Sequence, residues 1–371
     1  MKIHRATLYR LHVPMRGSYR ASVHDFSLMD AVLVVLETVD GRRGIGTADP
    51  SPGYSRQTPD EIQKVLSQYL PTFIRASPDD PNEATRVLDR LDGCENARCA
   101  VEMAYLDLYC RAEHRSIADF FGGRRRASEP LNAWIGVDIP ERMVAEAKRW
   151  RDRGFQSLKL KLDGDADRDI QRVEVVHDAV VDEMQIRADV NGAYDVETAI
   201  EVAQALEPLD LAHLEQPVPL DDIDGLEAVT QATSIPIMAD ECLLGLREIK
   251  EVIDRKAADR LKVKTLRLGG LQTTHRALDL AATAGISCVV GHGFGLMPAT
   301  SAELQLTASH DDVFRPVENV GMLKMADEPF NQAVTVTDGS ASVGDSPGHG
   351  VELREDRLSE FVEERIDITA G

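Results

Sequence analysis

The chain has 371 residues, 43% of them apolar, and a formal net charge of -21. That length supports a large core and two folding units, and the absence of any long uncharged apolar run excludes a membrane-spanning helix. Ten lysines stand against 32 arginines, and so acidic a surface repels nucleic acid and anionic membranes.

The opening segment, MKIHRATLYRLHVP, carries charges where a signal peptide needs an apolar stretch, so a cytoplasmic protein is expected. Residues up to about 50 read as strands, with Asp40-Gly41 between two apolar runs as a hairpin turn. Helical periodicity follows over about 58–75, 80–92 and 95–115, the last with Ala, Met and Leu on one stripe. FFGGRRR closes this first unit. The five cysteines are odd in number, scattered and without metal-ligand spacing, which predicts reduced, mostly buried thiols.

From about residue 131 short apolar strands alternate with amphipathic helices. The strands are LNAWIGVD, SLKLKL, QIRADV, LAHLEQP, IPIMADE, RLKVKTL, ISCVVGH and FRPVENV. Eight strands with seven intervening helices predict an α/β fold built on a parallel barrel. An open doubly wound sheet is the alternative, but no Gly-rich phosphate loop follows the first strand.

SLKLKL raises a specific question. Period-two alternation puts Lys159 and Lys161 on one face and three leucines on the other, and helices on both sides of the strand leave no open solvent face for the lysines. A barrel answers it, because residues at C-terminal strand ends line the active-site mouth. Lys161, Asp189, Glu215, Asp240 and Lys264 follow one another at intervals of 28, 26, 25 and 24 residues, about one strand-helix repeat each. Any one of them alone is most simply a solvated charge; five in phase deliver five charged groups to one rim. Three carboxylates brought together repel unless a cation sits between them, and hard oxygen donors suit Mg²⁺. Lysines beside that cation are discouraged from carrying full charge, which makes them candidate bases.

LKLKL, RADVNGAY, HLEQPV, IMADE and LKVKTLRLGGL resemble, in order and spacing, the barrel motifs of the enolase superfamily, in particular its muconate lactonizing enzyme subgroup within the mandelate racemase/muconate lactonizing enzyme family. CAVEMAYLDLYCRAEHRSIADFFGG is similar to the end of that family's N-terminal capping domain. The resemblance implies a modified TIM barrel, (β/α)7β, over 126–320, an α+β capping domain over 1–125, and a C-terminal segment, 321–371, that returns to the cap. It implies Asp189, Glu215 and Asp240 as ligands of Mg²⁺, with Mn²⁺ able to substitute. Asn191 and Glu241 would orient those ligands. Lys161 and Lys264 would be acid and base on opposite faces of the substrate, with Lys159 beside Lys161 lowering its pKa. Lys264 is chosen over Lys262 because its five-residue offset from Gly269 is the family's.

The chemistry implied is removal of the proton α to a carboxylate, with the enolate stabilised by the metal. Reprotonation on the other face gives racemisation or epimerisation. A cycloisomerase or, as runner-up, a dehydratase of the o-succinylbenzoate synthase or hydroxy-acid type follows from other fates of the enolate. Glu318, 54 residues after Lys264, matches the cycloisomerase glutamate and joins the catalytic candidates. Gly295 stands where cycloisomerases and dipeptide epimerases place a glutamate, which weakens a dipeptide reading. His292 and Phe294 at the rim, and Arg20, His24 and Tyr54 on the capping loops, are the candidates for gripping a small carboxylate substrate. A homo-oligomer is expected, without nucleic-acid or membrane partners. A carboxylate-binding relative without turnover, or a barrel aldolase using a Schiff-base lysine, are the rival readings; retention of both Lys161 and Lys264 argues against the first.

Overall fold

In the computed structural model, residues 2–21, 24–51, 55–291 and 294–370 are described, with residues 18–21 and 24–26 described by backbone alone. Three antiparallel strands, β1 (Ile3–Ala21), β2 (His24–Thr38) and β3 (Arg43–Ala48), form the capping sheet. The turn between β2 and β3 is the expected one: Gly41 takes φ +83 and donates to the Thr38 carbonyl. A fourth strand, Val362–Thr369, pairs antiparallel with β1 from Arg5↔Thr369 to Leu11↔Val362, so the chain's end lies on the capping sheet.

Three helices follow, α1 (Pro59–Ala76), α2 (Pro81–Leu88) and α3 (Glu95–Ala112); α1 and α3 lie on that sheet and α2 packs against α3. Each of the first two starts where its sequence dictates. Thr58 and Glu61 close a capping box ahead of Pro59, and Asp80 caps ahead of Pro81. The third helix is buried around most of its circumference. It lies directly on β3 because Gly44 and Gly46 have no side chains; a Cβ on either would come within 2.3 Å of an α3 carbonyl oxygen. The helical pattern predicted to 115 stops at Ala112, since His114 turns to φ +53 and Arg115 bonds back to the Cys110 carbonyl.

The remainder is a seven-stranded parallel sheet curled into a barrel, in sequential order from Ala133–Ile135 to Ser287–Val290. The intervening strands are Ser157–Lys161, Gln185–Asp189, His213–Glu215, Ile237–Ala239 and Arg260–Val263. Amphipathic helices connect them, among them Leu271–Thr283, and the wholly buried helix Met297–Ala308 follows the last strand.

The eighth strand expected at FRPVENV is not regular. Residues 313–318 instead bridge both edges of the sheet: Val313 pairs with Cys288, Val317 with Leu131, and Glu318 N–H donates to the Val290 carbonyl at 3.2 Å. Pro316 has no N–H to give a ladder, so the ring closes through isolated bridges. Four cysteines are buried, one is half-buried, and all five are free, as their spacing predicted. No helix among the described residues is long and apolar enough to cross a membrane.

The barrel and cap are locked at the LGG motif. Gly269 (φ +78) and Gly270 (φ +139) take conformations that disfavour side chains, and Glu102 of α3 fills the space where a Cβ of Gly270 would stand. The Glu102 carboxylate accepts from Leu271 and Gln272 N–H, both at 2.9 Å, capping the helix that follows. Arg98 donates to the Gly269 carbonyl at 2.8 Å.

Candidate active site

Strand register builds the site in two rows. Lys161 pairs with Asp189 and Asp189 with Glu215 across adjacent strands, so three of the five charged residues stand side by side. Asp240 and Lys264 follow directly after their strands, which end at Ala239 and Val263. One layer lower, Lys159, Arg187 and His213 are in register with each other.

In the upper row the Lys161 ammonium donates to Asp189 Oδ2 and to Asn191 Oδ1, each at 2.7 Å. Asn191, held at φ +52, hands its amide on to Glu241 Oε1 at 2.8 Å. Across the mouth Lys264 donates to Asp240 Oδ2 at 2.6 Å, and Arg267 holds Asp240 Oδ1 at 2.8 Å. Gln216 Oε1 accepts from Asp240 N–H at 2.9 Å, fixing that backbone. The three carboxylates are buried, while Lys161 keeps a third of its side chain exposed.

The lower row is a charged core. Lys159 reaches Glu215 Oε1 at 2.7 Å, Asp189 Oδ2 at 2.8 Å and Glu318 Oε2 at 3.2 Å. Glu318 also pairs with Lys262, and with Arg187 at 3.4 Å. Lys159, Arg187, His213, Lys262 and Glu318 are all buried.

Electrostatics follow from burial and charge count. Burial, then the neighbouring Asp189, pushes the Glu215 carboxyl up to about 8 in spite of Lys159. Burial would raise Asp189 as well, but Lys159 and Lys161 outweigh it and bring it down to about 2. Asp240 is held well below the usual carboxylate range by Lys264 and Arg267 against the same burial. Lys159 is driven up rather than down: desolvation opposes its charge, yet Asp189, Glu215 and Glu318 together more than restore it.

Several expectations are therefore placed more sharply. Lys159, expected beside Lys161 as a like charge, is a buried ammonium paired with Asp189, Glu215 and Glu318. Glu318, matched to the cycloisomerase glutamate, sits in the barrel interior between three cations. Lys262, on the sixth barrel strand, points into that interior, and Lys264, just after the strand, stands at the mouth. Asp189, Glu215 and Asp240 are each turned onto a lysine: Asp189 onto Lys161, Glu215 onto Lys159 and Asp240 onto Lys264. Phe294 is half-buried with the Lys324 ammonium 3.7 Å from its ring centre. Arg20 and His24 lie on β1 and β2 at the far end of their ladder, but their side chains, like Tyr54 and His292 altogether, fall outside the described residues. Sequence reasoning missed Arg267, Arg187 and Lys324. Only Arg267 had a signal, three residues after Lys264 in KTLRLGG.

A parallel barrel under an α+β cap, with a ring of paired lysines and carboxylates at its C-terminal face, defines the class: a capped β/α-barrel enzyme. Residues 142–357 match the "Enolase C-terminal domain-like" family and residues 5–122 the "Mandelate racemase / muconate lactonizing enzyme, N-terminal domain". The chain belongs to the mandelate racemase/muconate lactonizing enzyme family of the enolase superfamily. It is 28% identical to the N-succinyl-L-Arg/Lys racemase of Bacillus cereus, over 97% of this chain and 98% of that one. It is 28% identical to the L-Ala-D/L-Glu epimerase of Bacillus subtilis (95% and 97%) and 27% identical to a chloromuconate cycloisomerase of Delftia acidovorans (97% and 99%). The crystal structure of the Bacillus cereus racemase superposes with a TM-score of 0.93 at 27% identity, covering 99% of this chain and all of that one.

Proposed function

We propose that this enzyme inverts the α-carbon of a small carboxylate by a two-base mechanism, and that its substrate is an amino acid whose nitrogen is acylated. The observation that carries this reading is the placement of Lys161 and Lys264. They leave the second and sixth positions of a ring that the 313–318 segment closes as the eighth, so they stand across the mouth from each other. A one-base reaction needs only one of them.

Asp189, Glu215 and Asp240 would hold Mg²⁺, with Mn²⁺ as substitute. The fit rests on the donor set and its charge: three buried carboxylates are all-oxygen ligands, and the rise of Glu215 to about 8 marks a site short of positive charge. The ammonium of Lys159, bonded to Glu215 and Asp189, already supplies part of it. When bound, the dication would withdraw electrons from the substrate carboxylate and stabilise the second negative charge of the enolate. The chain's own groups do the proton transfers. One lysine, neutral at the start, takes the α-proton; the other, as ammonium, returns a proton to the opposite face, and the two have then exchanged protonation states. Asp189 with Asn191 fixes the direction of one amine, and Asp240 that of the other.

Gly295 brings no carboxylate to the rim, and its carbonyl is occupied by Thr300 Oγ1 at 2.9 Å. A free substrate ammonium therefore lacks a partner there, which favours an acylated nitrogen over a dipeptide's amine. The racemase relative named for N-succinyl-L-Arg/Lys supports the same class. Cycloisomerisation is the second reading, favoured by the similarity to the Delftia enzyme.

The test is α-proton exchange in D₂O with the Mg²⁺-loaded enzyme, against N-succinyl and N-acetyl amino acids, dipeptides and muconolactones. Deuterium should enter with inversion. Lys161→Ala and Lys264→Ala should each stop racemisation while leaving exchange of opposite enantiomers, and chelation should abolish both. Lactone ring opening without inversion would select the cycloisomerase reading. Full turnover after exhaustive chelation, or exchange unaffected by either lysine, would overturn the proposal.

A further inference from the structure

A second cluster of ligating side chains lies away from the barrel mouth. His275 and Asp279 are four residues apart on the helix Leu271–Thr283 and share one of its faces. His310 follows the end of the neighbouring helix Met297–Ala308. His275 Nδ1 stands 2.6 Å from His310 Nε2, and His275 Nε2 stands 3.5 Å from Asp279 Oδ2. One ligand atom from each residue lies within 4.8 Å of the other two. The ring of Phe121 packs against His275 with centroids 4.9 Å apart, and the two imidazoles meet edge to face at 4.7 Å. The rings are thus held from behind, while Asp279 faces solvent.

We propose that His275, Asp279 and His310 form a binding site for a divalent transition metal, separate from the active site. Two imidazole nitrogens and one carboxylate oxygen are the donor set of Zn²⁺, Co²⁺ or Ni²⁺ rather than of Mg²⁺. Water on the Asp279 side completes the coordination. The facing nitrogens at 2.6 Å share one proton, and the metal takes that proton's place. Tetrahedral bonds of about 2.0–2.1 Å put the nitrogens roughly 3.3 Å apart, an opening that small rotations of the two rings provide.

The location gives the site a consequence. Phe121 belongs to the end of the capping unit, and Arg125 N–H just beyond it donates to the Ala308 carbonyl at 2.9 Å. A metal on His275 and His310 therefore clamps two barrel helices together and stiffens the surface on which the cap's last residues rest.

The experiment uses the full chain saturated with Mg²⁺, titrated with Co²⁺ and followed by visible absorption, with calorimetry for Zn²⁺. One equivalent of Co²⁺ should bind with the absorption of nitrogen ligation, and Zn²⁺ should raise the melting temperature. Asp279→Ala, at an exposed position, should weaken binding by about tenfold or more, and His275→Gln should abolish it. Asp240→Asn at the barrel mouth should leave it unchanged. Absence of saturable binding in the Mg²⁺-saturated protein would overturn the proposal. So would binding that survives both Asp279→Ala and His275→Gln, or binding lost in Asp240→Asn. The racemase reading rests on the barrel-mouth residues and is tested separately by α-proton exchange.

Discussion

Glu318 carries its negative charge deep inside the barrel, between Lys159, Lys262 and Arg187. Burial alone would raise its pKa, but the three cations outweigh that and hold it well below the usual carboxylate range. Removing this charge leaves three buried cations short of their counterion, a change that costs on the order of 3–5 kcal/mol in other proteins. We therefore expect Glu318→Gln to lose about that much stability in a urea titration, with unfolding midpoint and activity falling together. A glutamate acting directly on substrate would instead lower kcat at unchanged midpoint, and that outcome would return Glu318 to the catalytic set. Gly270→Ala should also destabilise, by about 2–4 kcal/mol: the residue sits at φ +139, and the new Cβ would come 2.7 Å from the Glu102 carboxylate that caps the next helix.

At the scale of elements, the helix Met297–Ala308 is the one most dependent on distant partners. Its first N–H groups are satisfied by two acids from opposite ends of the chain, Asp49 buried and Glu328 half-buried: Asp49 accepts from Leu296 at 3.0 Å and Glu328 from Met297 at 2.7 Å. Burial pushes Asp49 up to about 7 and Glu328 up to about 8. Both folded-state values lie above those of an unfolded chain, near 4. At these two groups the folded protein then binds more protons than the unfolded one between those limits, so their contribution to stability falls as pH rises from about 4 through 8. In urea titrations of the Mg²⁺-saturated enzyme, Asp49→Asn should lose less unfolding free energy than the parent chain as pH rises through this window. A pH dependence unchanged by Asp49→Asn would contradict the burial argument. Such pairings were beyond the reach of the sequence, because each joins residues about 250 or 30 positions apart. What could be read was local. Period-two alternation announced SLKLKL as a strand with an inner lysine face, helical periodicity announced the segments from about 58 and 80, and the repeat interval aligned the five rim residues. The strand Val362–Thr369 escaped because its mostly exposed residues carry no apolar run. FRPVENV read as a strand because its valines are apolar, although Pro316 leaves it unable to form a ladder. The same locality explains Lys159 and Glu318: alternation says which face a residue takes, while how deep it lies depends on where the ring closes.

For the whole molecule, charge is the dominant surface property. The excess of 21 negative charges acts against the compact state by self-repulsion, and the arginines offset it through surface pairs such as Arg357 with Asp327 and Glu360, and Arg255 with Asp224 and Glu227. Exposed pairs of this kind are each worth about 0–1 kcal/mol and weaken with salt. Salt thus pulls in two directions: it screens the general repulsion and it loosens the pairs. The repulsion is a sum over every unmatched acid, whereas many exposed pairs contribute little, so screening should win. The melting temperature is expected to rise from about 0.1 M to molar KCl, where the Debye length shrinks from about 10 Å to about 3 Å. The buried ion pairs of the barrel interior should contribute nothing to this trend, since they are shielded from the electrolyte; Glu318→Gln should lower the curve without changing its salt slope. A melting temperature that stays flat across the series would mean that the arginine-rich, lysine-poor composition reflects base composition of the gene rather than adaptation to salt.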